Sequence, residues 1–332
     1  MQNKDMDWSA DDIRRRLSAS VQAVENSPSD STSVEKTEDI MEPYWQFYGL
    51  DFHRFGLVSS QSASLLKSNN FDVCVQQFIA KNERGKVLVL HGYYDHVGLY
   101  KFLIRECLEL GLSVTAFDLP GHGLSSGERA SIDSFDSYHD ALSVVMEDQN
   151  ITHGSRWSVV GQSTGGAVII DYLTRYQFER ATSPFSNVVL LAPLVRPESW
   201  FKARIMLTLL RPFVTSIKRA FSENSHDQAF LKFIRHDDPL QHNRLEVDWV
   251  SALEQWIPDV ENRQQSDLAV SVIQGTDDQT VDWRHNVTVL QHLFSELHLY
   301  KIEEGRHHLV GESLEFREKV FTHLRRALSV ID

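Results

Sequence analysis

Two spacings of apolar residues organise the chain. From residue 64 onward, short β-rich runs alternate with stretches in which apolar residues recur every three or four positions. The runs Asp72–Ala80, Lys86–Leu90, Ser113–Phe117, Trp157–Val160, Val188–Leu191, Val270–Ile273 and Leu297–Ile302 read as strands. Helical patterns fall between them, near residues 98–110, 134–148, 164–177, 282–294 and 313–329. The inner runs Val87-Leu-Val-Leu90 and Asn187-Val-Val-Leu-Leu191 are continuously apolar, as strands buried on both faces require. The pattern predicts an α/β fold: a mostly parallel central sheet with helices on both faces and right-handed crossovers.

The rhythm is absent at two places. Residues 1–42 are polar and acidic. Ser9 followed by Asp12 gives an N-cap signal, and Ile13, Leu17, Val21 and Val24 then repeat at helical spacing. Residues 26–38, rich in Ser, Thr, Asp and Pro, read as a linker. Residues 1–60 are therefore expected to be a helical arm and linker, packed on the body or reaching for a partner. Between residues 194 and 262 an apolar stretch (Trp200, Phe201, Met206, Leu209, Leu210, Phe213, Val214, Ile217) precedes a polar helical region with no strand alternation. It reads as a helical cap inserted into a core formed by residues 61–193 and 263–332.

Charge and composition narrow the functional classes. The 332 residues carry 33 Lys and Arg against 46 Asp and Glu, a net charge of −13. A uniformly acidic chain is a poor general nucleic-acid binder, because phosphate contacts dominate that affinity. The two cysteines, Cys74 and Cys107, cannot build a disulfide framework or a four-thiolate zinc site. No segment reaches the roughly 18 apolar residues of a membrane span. The acidic N-terminus lacks the apolar region of a secretory signal. A cytoplasmic protein is expected, with peripheral contact at a membrane surface left open.

The strongest chemical signal is Val159-Val-Gly-Gln-Ser163-Thr-Gly-Gly166. It holds Gly-x-Ser-x-Gly between a predicted strand and a predicted helix. A sharp strand-to-helix turn strains the serine backbone and needs small residues two positions either side, which Gly161 and Gly165 supply. The turn aims Ser163 Oγ above the sheet and the helix N-terminus at it. A nucleophilic serine needs a base, and the base needs an orienting acid. In this fold class they follow the serine in the order acid, then histidine. Asp278, three residues past the end of a buried strand at Gly275, is the acid, with Asp277 competing. His307, between the last strand and the last helix, is the base, with His308 competing. Two N–H donors must meet the developing oxyanion. Thr164 follows the nucleophile, and Tyr93 lies in the loop His91-Gly-Tyr-Tyr-Asp-His96 after the first inner strand. His91 reads as a structural hydrogen-bonding residue.

Together these residues resemble the α/β-hydrolase family, specifically its monoacylglycerol lipase and lysophospholipase-like (serine aminopeptidase S33-type) branch. The resemblance spans about residues 85–330. It includes His91-Gly92 with Asp95-His96 and Tyr100, Phe117-Asp118 with Gly121-His-Gly123 through Arg129, the serine turn, and the Gly305-Arg306-His307 loop. It implies an α/β-hydrolase fold, a triad of Ser163, Asp278 and His307, and an oxyanion hole of Tyr93 and Thr164. Two departures stand out: Asp95 occupies a position where many relatives carry Glu, and the Gly-Arg-His spacing is one residue shorter than the commonest form, which keeps His308 in play.

No metal and no cofactor are expected. No His-Glu-x-x-His occurs, and the adjacent pairs Asp95-His96 and His307-His308 are poorly placed for shared chelation. Within Arg196–Arg219, six basic residues (Arg196, Lys202, Arg204, Arg211, Lys218 and Arg219) stand against Glu198 alone, beside apolar residues at helical spacing. Basic plus apolar fits either a lipid-facing helix or a cover over an acyl pocket. Both favour a small-molecule lipid or ester substrate, with Trp200, Met206, Leu210 and Phe213 as candidate contacts. The expected activity is hydrolysis of monoacyl-lipid esters. The alternatives are an aminopeptidase or amidase of the same fold, for which cap acids such as Glu223 and Asp227 could hold an amine, and a binding protein without turnover.

Overall fold

The computed structural model describes residues 8–26, 33–155 and 157–328, with the side chains of 21–36 outside the description. The expected contacts of Val21 and Val24, and most of the expected linker, therefore lie outside the described residues.

The N-terminal segment forms α1 (Ala10–Asn26) and α2 (Ser33–Tyr48). Ser9 Oγ accepts from the Asp12 amide at 3.1 Å, and Ile13 and Leu17 are fully buried. The second helix begins inside the expected linker, which ends earlier than the composition implies. Its residues Ile40, Met41, Tyr44, Trp45 and Tyr48 fall on one face and are buried. Each fully buried Leu or Phe side chain contributes roughly 1.5–3 kcal/mol, so this face is a firm attachment to the body. Trp45 Nε1 also donates to Gln76 Oε1 at 2.9 Å.

The core starts earlier than residue 61, with β1 (Val58–Ser68), an edge strand antiparallel to β2 (Phe71–Ala80). Then follow β3 (Gly85–Leu90), α3 (Lys101–Glu109), β4 (Leu112–Phe117), α4 (Asp136–Asp148), β5 (Trp157–Gln162), α5 (Thr164–Arg175) and β6 (Phe185–Leu191). The cap runs through α6 (Trp200–Leu210), β7 (Ser216–Lys218), α7 (Gln228–Lys232), β8 (Arg244–Glu246) and α8 (Val247–Glu261). The core closes with β9 (Ser266–Gly275), α9 (Trp283–Leu293), β10 (Phe294–Ile302) and α10 (Leu314–Ala327).

Among the described residues one eight-stranded sheet has the order β1-β2-β4-β3-β5-β6-β9-β10. Strand β2 is antiparallel to both neighbours, and the other pairings are parallel. The expected helices cover both faces. On β3, Leu88 and Leu90 point into the cluster that holds α4, α5, α8 and α9, whereas Val87 and Val89 point into the one that holds α1, α2, α3 and α10. The cap is not wholly helical. Ser216–Lys218 and Arg244–Glu246 pair as a two-stranded antiparallel ribbon, too short to leave an alternating pattern. Nor is its second half uniformly polar, since Val247, Trp249, Leu253, Trp256, Ile257 and Val260 of α8 are buried. No helix among the described residues is long and apolar enough to cross a membrane.

Parallel strands place their C-terminal ends along one edge, and loops from adjacent ends meet there. The loops after β3, β5, β9 and β10 carry the residues described next.

Candidate active site

Ser163 joins β5 to α5 with φ +53° and ψ −114°, a conformation a non-glycine residue rarely adopts. Its amide donates to Leu191 O at 2.9 Å, and its carbonyl accepts from Ala167 N and Leu194 N at 3.0 and 3.1 Å. These three bonds hold the strained turn. The close packing explains Gly165: a Cβ there would sit 2.4 Å from Leu90 O. Ser163 Oγ stands at the N-terminus of α5, where the helix dipole favours negative charge.

His307 approaches from the loop after β10. Its Nε2 lies 2.9 Å from Ser163 Oγ, and its Nδ1 lies 2.7 Å from Asp278 Oδ2. All three side chains are buried. Gly275 lets the two loops meet, since a Cβ there would fall 2.3 Å from Gly305 O. Gln162 Nε2 donates to His307 O at 2.9 Å, tying the base's loop to the end of β5. Asp278 Oδ1 accepts from the Thr280 and Val281 amides at 2.9 and 3.2 Å, and Oδ2 accepts from Gln274 Nε2 at 3.0 Å. Burial alone would raise the Asp278 carboxyl. The facing His307 and the donated hydrogen bonds outweigh it and hold the group below the usual carboxylate range. An ionised Asp278 takes the Nδ1 proton of His307 as a hydrogen bond, which leaves the Nε2 lone pair facing Ser163.

The competing residues are engaged elsewhere. Asp277 is partly exposed, with Arg306 Nε 3.6 Å from its carboxylate. His308 Nδ1 accepts from Gly311 N at 3.1 Å, so its Nε2 donates, to Asp95 Oδ2 at 3.1 Å. Asp95 Oδ2 also accepts from Tyr100 OH at 2.9 Å, and Tyr100 OH accepts from the Gly92 amide at 2.9 Å. This chain links the β10 loop to the β3 loop. The sequence around Asp95 and Tyr100 carries no sign that His308 joins them.

Tyr93 and Thr164 both line the cavity beside Ser163. Thr164 opens α5, so its N–H is among the first-turn donors without an intrahelical acceptor. Tyr93 is locked by its side chain: the ring stacks on Trp249 at 3.7 Å between centroids, and its hydroxyl donates to Ala130 O at 2.7 Å. His91 is the structural residue expected. Its Nε2 accepts from Leu119 N at 2.9 Å and its Nδ1 bonds Gly92 O at 2.8 Å.

The cavity above Ser163 has a volume of about 360 Å³. Its apolar wall comes from Trp200 and Ala203 on α6, Leu245 of the ribbon, and Trp249, Val250 and Leu253 on α8. Of the four cap residues expected to meet substrate, Trp200 lines it. Met206, Leu210 and Phe213 do not. The helix turns Trp200 and Ala203 inward, which leaves Phe201, Leu209 and Phe213 exposed at 74%, 67% and 82%. The α8 residues of the wall lie in the stretch that the sequence pattern marks only as polar and helical. A larger cleft of about 490 Å³ lies between the start of α6 and the end of α8. It contains no serine–histidine pair, and two of its arginines are paired within it, Arg196 with Glu261 and Arg204 with Glu254.

The family model described as serine aminopeptidase S33 matches residues 81–314. Human monoglyceride lipase is 28% identical over 258 residues, covering 73% of this chain and 82% of its own. Phospholipase YtpA of Bacillus subtilis is 25% identical over 248 residues, covering 72% of this chain and 93% of its own. Among solved structures, a soluble variant of monoglyceride lipase from Saccharomyces cerevisiae, in complex with a substrate analogue, superposes with a TM-score of 0.69. It is 16% identical and covers 82% of this chain and 95% of its own, a likeness of fold.

Proposed function

The chain belongs to the serine aminopeptidase S33 family of α/β-hydrolases, on its monoacylglycerol lipase-like branch, and from that premise we propose that Ser163, His307 and Asp278 hydrolyse monoacyl-lipid esters through an acyl-enzyme. The observation that carries the reading is the continuous relay from Asp278 through His307 to Ser163 Oγ, with bonds of 2.7 and 2.9 Å, opening into a cavity with one apolar wall.

The chemistry follows from the geometry. The Ser163 hydroxyl attacks the ester carbonyl and gives its proton to His307 Nε2. The amides of Tyr93 and Thr164 receive the oxyanion; one such donor is typically worth ~10²–10³ in rate. Imidazolium at 307, stabilised by ionised Asp278, then protonates the leaving alcohol. Water then attacks the acyl carbon and gives a proton to the same nitrogen; the bond from the acyl carbon to Ser163 Oγ breaks, His307 returns the proton to that oxygen, and the fatty acid leaves. The acyl chain lies along Trp200, Ala203, Trp249 and Leu253, and the alcohol faces the loops after β3 and β10. The names of the relatives, monoglyceride lipases and a phospholipase, favour this substrate class over peptides.

The exposed face of α6 extends the proposal. Phe201 and Leu209, beside Lys202, form the outer surface of the helix whose inner surface lines the cavity, and the exposed Phe213 and Arg211 follow in the turn after it. Such a face seats on a lipid surface and delivers a monoacyl lipid without full hydration of its tail.

The experiment is an ester panel of graded acyl length, including monoacylglycerols and lysophospholipids, with aminoacyl anilides alongside and Ser163→Ala as the blank. The expected result is fatty-ester turnover abolished in S163A and stoichiometric labelling of Ser163 by a serine-directed phosphonate. Unchanged turnover in S163A, or preferred cleavage of anilides, refutes the reading.

A further inference from the structure

We infer that Arg219 forms an anion-binding subsite in the cavity, so that the preferred substrate is a monoacyl lipid whose alcohol carries a phosphate, rather than a neutral monoacylglycerol. The inference rests on the hydrolase reading above and assigns the head group that the reading leaves open.

Lys218, Arg219, Ser222 and Asn224 line a polar side of the cavity, apart from the apolar wall of α6 and α8, while Glu223 between them does not line it and faces Arg306 at 3.6 Å. Arg219 is half-buried there. Its guanidinium lies 3.7 Å from the Tyr94 ring centroid and 4.4 Å from that of Phe221. Nη1 donates to Gln241 Oε1 at 2.8 Å and to His242 O at 3.1 Å. Two aromatic faces and two neutral acceptors fix the position of the fork. They do not neutralise its charge.

Two other cap arginines carry a partner of opposite charge, whereas Arg244, across the ribbon from Lys218, bonds only the Ser216 hydroxyl and carbonyl. Arg196 and Arg204 each meet a glutamate, at 2.6 and 3.0 Å. Among the described residues, neither Arg219 nor its neighbour Lys218 has a carboxylate within salt-bridge distance. Asp95 and Asp238, whose charges act on Arg219, are committed elsewhere: Asp95 to Tyr100 and His308, Asp238 to Tyr48 and His96. Burial disfavours the charged form of Arg219, consistent with a cation short of a counter-ion. A partly desolvated cation without an anion is costly, and it is rare in a chain of net charge −13 unless a ligand supplies the anion. A planar fork held by stacking suits bidentate recognition of a phosphate.

The position is right for an alcohol-side group. Arg219 stacks on Tyr94, which follows Tyr93 in the loop whose amide faces the oxyanion. Asn224, on the same segment, accepts from the His308 amide at 2.8 Å, next to the base. A substrate with its tail on α8 and its carbonyl at Ser163 therefore directs its head group toward this segment.

The test compares two short-chain esters of the same acyl length, an acylglycerol and its phosphorylated counterpart, both monomeric so that surface charge plays no part. Wild type, Arg219→Gln, Arg219→Lys and Arg235→Gln are assayed. Arg235 is an exposed cap residue outside the cavity. The expected result is a kcat/KM at least about tenfold higher for the phosphorylated ester, lost in R219Q, partly kept in R219K and unaffected in R235Q. Turnover of the neutral ester, within about threefold of wild type, reports that R219Q is folded. Glycerol phosphate should inhibit wild type competitively and R219Q weakly. Inhibition by inorganic phosphate without any preference between the esters overturns the head-group assignment. Equal loss of both activities in R219Q, or a wild-type preference for the neutral ester, also overturns it and leaves the hydrolase reading intact. Failure to hydrolyse either ester removes both.

Discussion

Replacing Asp278 by Asn separates the chemical role of this residue from its structural one. The carboxylate accepts four hydrogen bonds: Oδ1 takes two backbone amides, and Oδ2 takes Gln274 Nε2 and His307 Nδ1. An amide NH2 cannot face the backbone donors, so it must turn toward Gln274 and His307. Gln274 can accommodate it, because its Oε1 is buried without a partner and a flip of the amide presents that oxygen. The flip gives up the 3.0 Å bond from Gln274 Nε2 to Gly275 O. The cost in stability is then about 1–3 kcal/mol. His307 can accommodate it only by changing tautomer: Nδ1 becomes the acceptor, Nε2 carries the proton, and Ser163 loses its base. A wrong-tautomer triad typically loses about 10⁴ in kcat, equivalent to roughly 5.4 kcal/mol in the barrier. The assay is steady-state hydrolysis of a water-soluble short-chain ester, with thermal unfolding of the same samples. D278N should remain folded at the assay temperature and be nearly inactive, while D277N, at the partly exposed neighbour, should stay within about twofold of wild type. A D278N enzyme that keeps more than a tenth of the wild-type kcat, or a D277N enzyme equally impaired, refutes the tautomer argument.

Other consequences can be read at single positions. Gly165→Ala puts a methyl 2.4 Å from Leu90 O, which is backbone and cannot move aside. It should cost about 1–3 kcal/mol in denaturant unfolding and lower kcat by shifting the serine turn. His122 is buried with Nδ1 on Pro120 O and Nε2 without a partner, and burial lowers its pKa to about 3. Because the folded form resists protonation, its contribution is whole above about pH 6.5 and declines as the pH falls toward 3, by roughly 5 kcal/mol in all. Chemical denaturation of His122→Phe across that range should show a shallower acid loss than wild type; parallel curves count against the assignment. Asp238→Ala strips the acceptor from Tyr48 OH and His96 Nε2, at 2.7 and 3.0 Å, and should destabilise the fold by about 3–5 kcal/mol. Limited proteolysis of that variant should cut the N-terminal helices and the cap sooner, since the three partners come from α2, the β3 loop and the cap.

The parallel core was readable because its strands are buried on both faces and its helices show clean apolar stripes. What escaped notice did so for local reasons. Strand β1 is an edge strand whose run Val58-Ser-Ser-Gln-Ser-Ala-Ser carries almost no apolar signal, and it is specified by its antiparallel register with β2. Helix α2 contains Pro43 and starts in a Ser- and Glu-rich stretch, so composition outweighed the spacing of Ile40, Met41, Tyr44, Trp45 and Tyr48. In the site, Ser163, Asp278 and His307 each follow a recognisable strand end, and chain order ranked them. The cap was harder. An exposed apolar helix face and a cavity-lining one give the same periodicity, so Met206, Leu210 and Phe213 could not be told from Trp200 without knowing how α6 is rotated. Residues that reach the cavity from the ribbon and α8, such as Leu245 and Trp249, are set by tertiary packing alone.

The pairing of His307 with His308 shows how little chain positions a whole site. The two imidazoles are adjacent, yet their neighbours impose opposite tautomers: Asp278 demands a proton at Nδ1 of one, and Gly311 N–H demands a lone pair at Nδ1 of the other. The first is left with a basic nitrogen toward Ser163. The second is left with a donor toward Asp95, which through Tyr100 holds the Gly92 amide and hence the start of the Tyr93 loop. A shift of the β10 loop thus displaces the base and the oxyanion loop together. In the proposed reaction, proton transfer and charge stabilisation need close alignment of these separate groups, and anchoring both to consecutive residues ties their placement together.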